Sequence, residues 1–332
     1  MIKNNRYTIA VLDCKREEEL LFHKIAKELN ISIKLFPSTL SPENVVLPEH
    51  TLCVSISHGH TITEETIKRW SKRGVRYLST RSIGYNHIDM NAAKKYNLIV
   101  ENVPYSTGSV AEHALMQMLM LLRAAKPMQA HLPSGDYRLP KTPYKELGDL
   151  TVGLIGTGKI GERVASLLKG FGCKILCYDA RENPNLKKAG IPYVDLTTLL
   201  EKSDMISLHI PLTEESYHFL NRETLAHCKK GAYLINTARG GLVDTEALIE
   251  ALQEGHLSGA ALDVFEGEEP YFYKDCRSES LPKTLQTLCE MPEVLLTPHS
   301  AFYTEHALQD MVRNSLTNCE AFLNNQKTCK IN

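Results

Sequence analysis

The sequence predicts an α/β protein of two domains, each a parallel sheet covered by helices on both faces. Three observations predict it. Short β-rich runs alternate with amphipathic helical runs along almost the whole chain. A polar, proline-containing stretch at 126–149, "KPMQAHLPSGDYRLPKTPYKELGD", splits that alternation into two series of unequal size. The length of 332 residues exceeds what one ordinary core organises.

In the first series, "YTIAVL" is a strand, and "REEELLFHKIAKEL" is a helix with its apolar residues at helical spacing. "ISIKLF" and "TLCVSIS" are strands, "TEETIKRWSKRG" is a charged amphipathic helix, and "VRYLST" is a strand. "NVPYSTG" leads into a long helix over 108–125. The second series supplies six more strands: "LTVGLIG", "KILCYD", "MISLHIPL", "AYLINTARG", "LSGAALDV" and "EVLLTPH". "TEHALQDMVRNSLTNCEAFLNN" closes the chain as a helix. Two such series imply a cleft between two domains. No short-period repeat or low-complexity segment interrupts them.

Composition excludes several function classes. With 38 basic and 39 acidic residues the net charge is −1, which lacks the electrostatic footprint of a nucleic-acid or membrane-surface binder. The nine cysteines are scattered, odd in number and contain no C-x-x-C pair, so no disulfide framework or zinc site is expected. That pattern, and an N-terminal apolar run ("TIAVL") too short for a signal peptide, lead to an expected cytoplasmic location. The longest apolar segment, "VAEHALMQMLMLLRAA", contains Glu112, His113 and Gln117 and reads as a buried helix of a soluble protein. His58 and His60 have H-x-H spacing without an identifiable third ligand, so no metal is expected.

The strongest local signal is "LTVGLIGTGKIGERVASLLKGFGCKILCYDA". Gly156, Gly158 and Gly161 fit G-x-G-x-x-G between an apolar strand and a helix, and a second strand ends in Asp179. Gly156 permits the tight turn, Gly158 lets the backbone approach a pyrophosphate, and Gly161 lets helix and strand pack closely. The helix start offers unbonded N–H groups and a positive dipole end to the phosphates. Asp179 would accept from a ribose diol and repel a 2′-phosphate, favouring NAD over NADP, with Arg181 as the one opposing residue.

Ligands of open α/β sheets collect at the carboxyl ends of strands. Three strand ends carry unusual polar residues: Arg239 in "INTARGG", Asp263 with Glu266, Glu268 and Glu269 in "LDVFEGEE", and His299 in "LLTPHS". Anion clamp, carboxylate and proton donor suit a 2-keto acid beside a nicotinamide. Spacing alone does not choose among the three glutamates.

"NTARGGLVDTEALIEAL", "GAALDVFEGEE" and "TPHSAFYTEHAL" resemble the D-isomer-specific 2-hydroxyacid dehydrogenases, and the resemblance spans essentially the whole chain. Within that family the chain is most similar to D-lactate dehydrogenases. "TRSIGYNHID", "FGCKILCYD" and "EGEEPYFYKDC" are similar to the vancomycin-resistance type, "VAEHAL" and "GDYR" to fermentative enzymes. The resemblance implies Arg239, Glu268 and His299 as catalytic residues, with Glu266 and Glu269 left facing solvent. It implies NAD contacts at Gly156, Gly158, Lys159, Ile160, Gly161, Asp179, Ile210, Pro211, Thr237, Ala238, Arg239 and Asp263, the last on the carboxamide. Substrate contacts are implied at Ile83 and Gly84 (backbone N–H), Tyr105, Arg239 and Phe302.

The implied architecture is two Rossmann-like domains. A discontinuous flavodoxin-like substrate domain spans 1–103 plus 299–332, and a doubly wound NAD-binding domain spans 104–298. The implied activity is NADH-dependent reduction of pyruvate to D-lactate, with a homodimer as the assembly and a small 2-keto or 2-hydroxy acid as the only other partner. A reductase of larger branched or aromatic 2-keto acids and a non-catalytic NADH-sensing protein stay open. Leu139 stands where the family commonly has tryptophan, and Thr107–Gly108 where it has Pro–Asn, both near segments that shape the pocket.

Overall fold

The computed structural model describes residues 7–326 and 331, so Cys329 lies outside the described residues. In chain order the strands are β1 (Thr8–Cys14), β2 (Ser32–Pro37), β3 (Cys53–Ile56), β4 (Tyr77–Thr80), β5 (Ile99–Asn102), β6 (Thr151–Ile155), β7 (Lys174–Tyr178), β8 (Met205–Leu208), β9 (Ala232–Asn236), β10 (Leu257–Leu262) and β11 (Val294–Leu296). The helices are α1 (Glu19–Glu28), α2 (Glu64–Lys72), α3 (Met90–Lys95), α4 (Thr107–Leu122), α5 (Ala125–His131), α6 (Lys159–Leu168), α7 (Pro184–Lys188), α8 (Leu196–Lys202), α9 (Arg222–Ala226), α10 (Thr245–Gln253), α11 (Lys283–Glu290) and α12 (Glu305–Leu323).

The chain divides into two compact units, Met1–Ser106 with Tyr303–Asn332, and Thr107–Phe302. The first unit holds a five-stranded parallel sheet of order β2-β1-β3-β4-β5, the flavodoxin-like order. The C-terminal helix α12 completes it: Val312, Leu316 and Cys319 pack with Ile9, Val11, Cys53 and Tyr77. Strand β5 is absent from the sequence reading, because a four-residue strand carrying Glu101 does not look apolar. Glu101 is nevertheless buried and accepts a hydrogen bond from the Tyr77 hydroxyl.

The second unit holds a six-stranded parallel sheet of order β11-β10-β9-β8-β6-β7. A parallel bridge from Cys177 to Tyr193 extends it beyond β7, so the chain winds outward from β6 in both directions, the doubly wound pattern. The switch of direction lies between β6 and β8; open sheets of this class form a ligand crevice at the strands' carboxyl ends at such a point. Helix α4 packs Ala111, Ala114 and Met118 into the same core as Val152, Leu154 and Val164. Its apolar length is thus accounted for by this core, and among the described residues no helix is long and apolar enough to cross a membrane. Residues 299–302 belong by contact to this second unit, because Asp263 binds the N–H groups of Ser300 and Ala301.

Candidate active site

The glycine loop opens the second unit's first βα turn. Gly156 has φ +97°, and a side chain there would come within 2.6 Å of the His209 backbone. A side chain on Gly161 would sit 2.1 Å from the Gly156 carbonyl oxygen, so only glycine allows α6 this close to β6. Gly158, which caps α6, has open space where its side chain would project, with nothing within 4 Å. Lys159 and Ile160 form the first turn of α6, whose N–H groups have no preceding turn to bond. Asp179, at the end of β7, accepts from the Thr157 N–H at 2.6 Å and from the Arg181 N–H at 2.9 Å. Those bonds anchor the carboxylate at the mouth of the crevice.

On the far side of the switch point, Ile210 follows β8 and packs against Gly156, with exposed Pro211 after it. Thr237 and Ala238 follow β9. The Thr237 hydroxyl is buried with no hydrogen-bond partner among the described residues. An open glycine cradle, a free helix start, a terminal acid and an orphaned hydroxyl together fit a dinucleotide.

Arg239, Asp263 with Glu268, and His299 follow β9, β10 and β11, which are neighbours in the sheet. Gly240 brings the first of these loops against the second, since a side chain there would meet the Phe265 carbonyl at 2.1 Å. Among the described residues no carboxylate pairs with the Arg239 guanidinium; its Nη1 donates to the Ala238 carbonyl at 2.5 Å, and its remaining N–H groups can meet an anion.

Glu268 Oε1 lies 3.0 Å from His299 Nδ1, which selects Glu268 from the three glutamates. Glu268 is 6% exposed; burial pushes its carboxyl above the usual range, and His299 pulls it only partly back. Glu266 differs from expectation: it accepts from the Tyr217 hydroxyl at 2.6 Å and faces His218 Nε2 at 2.9 Å. It ties the loop after β10 to the loop after β8 instead of facing open solvent, whereas Glu269 is exposed.

Asp263 is 1% exposed. Burial opposes its charge, but hydrogen bonds from His113, Thr297 and the N–H groups of Ser300 and Ala301 outweigh that and hold its carboxyl below the usual range. Its carboxylate therefore grips the 297–301 segment. The His299 N–H also donates to the Asp263 carbonyl at 2.8 Å, and His299 itself has φ +49°. Left-handed backbone in a residue other than glycine costs about 1 kcal/mol, so surrounding bonds must enforce it.

Sequence reasoning named Phe302 but missed Phe272 and Tyr273, the other aromatic rings around this histidine. The Phe272 ring meets the His299 ring edge-on at 5.2 Å, and the Tyr273 hydroxyl donates to the His299 carbonyl at 3.2 Å. Buried Phe302 lies edge-on to His299 at 6.4 Å. The "PYFY" run carried the signal, three aromatics in a segment otherwise polar.

In the first unit, Ile83 and Gly84 follow β4 at its carboxyl end. Their carbonyls accept from Asn102 and Ser82 at 2.6 Å each, while no hydrogen bond among the described residues uses either N–H. Tyr105 follows β5 and is half-buried. His60 Nε2 meets the Ser38 carbonyl at 3.2 Å, and no cluster of three or more metal-binding side chains occurs among the described residues.

Residues 115–301 match the family model described as the NAD binding domain of D-isomer specific 2-hydroxyacid dehydrogenases. The chain belongs to this family. A D-specific alpha-keto acid dehydrogenase of Enterococcus faecalis is 43% identical to this dehydrogenase, covering 95% of this chain and 96% of the relative. A D-lactate dehydrogenase of Lactiplantibacillus plantarum is 37% identical over 90% of both chains. The solved NAD-complexed D-isomer specific 2-hydroxyacid dehydrogenase of Lactobacillus delbrueckii ssp. bulgaricus is 36% identical, with a TM-score of 0.85 over 98% of this chain and 100% of that one. The protein is an NAD-dependent D-2-hydroxyacid dehydrogenase, and its glycine loop lies inside the matched NAD-binding domain.

Proposed function

We propose that this dehydrogenase reduces pyruvate to D-lactate, with His299 as proton donor. The observation that carries the reading is the pairing of buried Glu268 with His299, beside a strand end that presents Arg239 without a carboxylate partner among the described residues. D-lactate dehydrogenases among the relatives support the substrate. NADH, when bound at the glycine loop, would supply the hydride and leave as NAD. Glu268 accepts the Nδ1–H, which orients the ring and leaves Nε2 to deliver its proton to the keto oxygen. Arg239 holds the substrate carboxylate in two hydrogen bonds. Within the first unit, Ile83 and Gly84 are assigned to substrate through their N–H groups, which no hydrogen bond among the described residues uses. Asp263, occupied as it is, acts by placing the 297–301 segment as well as by meeting the carboxamide. Tyr105 in the first unit and Phe302 in the second are each assigned to substrate. Gly156, Gly158, Lys159, Ile160, Gly161, Asp179, Ile210, Pro211, Thr237 and Ala238 hold the cofactor. The unit Met1–Ser106 with Tyr303–Asn332 is assigned to substrate and the unit Thr107–Phe302 to NAD.

The reading extends to a cytoplasmic homodimer. Unpaired cysteines support the compartment, and the exposed Met128, Leu132, Tyr137 and Leu139 support a subunit contact. Leu139, at 90% exposed, is available to such a contact.

Turnover of NADH with pyruvate, 2-ketobutyrate, 2-ketoisocaproate and phenylpyruvate, ranked by kcat/KM, tests the substrate. Pyruvate should lead. Phenylpyruvate in first place would move the enzyme toward the aromatic 2-oxoacid reductase of Clostridium sporogenes, 36% identical. No turnover with any of the four would leave a sensor of NADH.

A further inference from the structure

The polar residues inside the apolar helix α4 have no part in the function described so far. His113 and Gln117 lie four residues apart, one turn along α4, and point from the same face into the buried end of β11. Thr297 is what they meet: its hydroxyl oxygen is 3.1 Å from His113 Nε2 and 3.1 Å from Gln117 Nε2. The same hydroxyl donates its one proton to Asp263 Oδ1 at 2.5 Å. Its two lone pairs therefore accept, so both nitrogens donate. His113 Nε2 also faces Asp263 Oδ1 at 3.4 Å, a second acceptor, which assigns the proton to that nitrogen.

The bonds continue from Asp263 to the reacting histidine. Asp263 Oδ1 accepts the Ser300 N–H at 2.9 Å, Oδ2 accepts the Ala301 N–H at 2.8 Å, and the Asp263 carbonyl accepts the His299 N–H at 2.8 Å. His299, with φ +49°, is thus gripped on both sides, by Thr297 before it and by Ser300–Ala301 after it. A left-handed histidine persists only where neighbouring bonds over-determine it, and α4 supplies the outer layer of those bonds.

We propose that His113 is a positioning residue for proton transfer. Through Thr297 and Asp263 it holds the His299 backbone in the conformation from which the imidazole meets Glu268, and Gln117 supports the same hydroxyl. The proposal rests on the reading of His299 as proton donor.

His113→Ala should lower kcat with pyruvate about 10- to 100-fold, since displacement of a reacting group by about 1 Å costs about 10²-fold. KM for pyruvate and the Kd for NADH should move less than about threefold. His113→Gln, whose amide nitrogen can occupy the Nε2 position and donate, should restore most of the rate. In a His299→Gln background, adding His113→Ala should cost nothing further, because the effect passes through His299. Near-isosteric Thr297→Val, which deletes only the relay hydroxyl, should reproduce the kcat loss and keeps the test alive if His113→Ala does not fold.

Wild-type kcat in a folded His113→Ala enzyme, or losses that multiply in the double variant, would overturn the proposal. Ring-nitrogen NMR of the enzyme labelled at histidine gives a readout independent of turnover. The His299 signal should move in His113→Ala and return in His113→Gln. If the wild-type enzyme reduced no 2-keto acid, the reading of His299 would fail, and an unmoved His299 signal would separately refute the clamp.

Discussion

Two glycines of the same loop should respond in opposite ways to the same added methyl group. On Gly158 the new Cβ meets nothing within 4 Å, and the backbone angles there (φ −64°, ψ −168°) suit alanine. Alanine gains about 0.4–1 kcal/mol by restricting the unfolded chain and loses about 0.5–1 kcal/mol as a helix cap, so Gly158→Ala should leave the melting temperature within about 2 °C. The open space is where the pyrophosphate must approach the backbone. A methyl group there displaces one charge-assisted hydrogen bond, worth about 1.5–3 kcal/mol, which raises the NADH Kd about 10- to 150-fold. On Gly161 the Cβ would lie 2.1 Å from the Gly156 carbonyl oxygen, against 3.4 Å for ordinary contact. Strain of about 2–3 kcal/mol follows, or about 4–12 °C of melting temperature for a unit of this size. Thermal unfolding without cofactor and fluorescence titration with NADH separate the two effects. A Gly158→Ala enzyme that binds NADH within twofold of wild type would refute the assignment of that space to the pyrophosphate.

The remaining predictions concern the reaction centre. His299→Gln should lower kcat about 10²–10⁴-fold, and a near-normal kcat would remove it as proton donor. Arg239→Lys should mainly raise KM for pyruvate, since a point charge replaces a planar fork; an unchanged KM would put the carboxylate elsewhere. Glu268→Gln should move the pH optimum of keto-acid reduction to more acidic values, because the protonated ring loses its carboxylate partner. The same substitution should change stability in a defined direction. The Glu268 carboxyl titrates above its unfolded value, so its favourable contribution holds at low pH and is lost as pH rises through the folded value. Glutamine, neutral throughout, should therefore gain melting temperature relative to wild type as pH rises from about 4.5 to 7, and a constant difference would contradict that shift. Glu266→Ala should cost about 0.5–1.5 kcal/mol in urea unfolding while changing kcat less than about tenfold, as expected of a solvent-accessible anchor for Tyr217 and His218.

Every strand except β5 was legible in the sequence. The strands around Val152, Ile206, Leu234 and Ala260 announce themselves because both faces of a parallel sheet are covered. Strand β5 and helix α3 were not legible. A strand containing Glu101 is apolar only once Tyr77 is placed beside it, and a six-residue helix starting at Asp89 is shorter than two periods of its own pattern. The glycine loop was legible because each glycine answers a local demand. The choice of Glu268 over Glu266 was not legible from spacing, since it depends on which carboxylate the fold turns toward His299.

The features that sequence rules would score as faults gather in the second unit's loops. They are a left-handed His299, a buried Glu268 titrating above its usual range and, among the described residues, a buried Thr237 hydroxyl without a partner and an Arg239 without a counter-ion. Each costs stability in the ligand-free chain, and the core of α4, β6 and β10 tolerates them together. His113 and Gln117 belong to the same set, because a helix selected for packing alone would carry leucine at both positions. Their retention is explained once Thr297 and Asp263 need donors, and Asp263 needs them because it carries the loop of His299. The polar content of a buried helix is thus set by the backbone angle of one residue in a different loop, a dependence that no window along α4 contains.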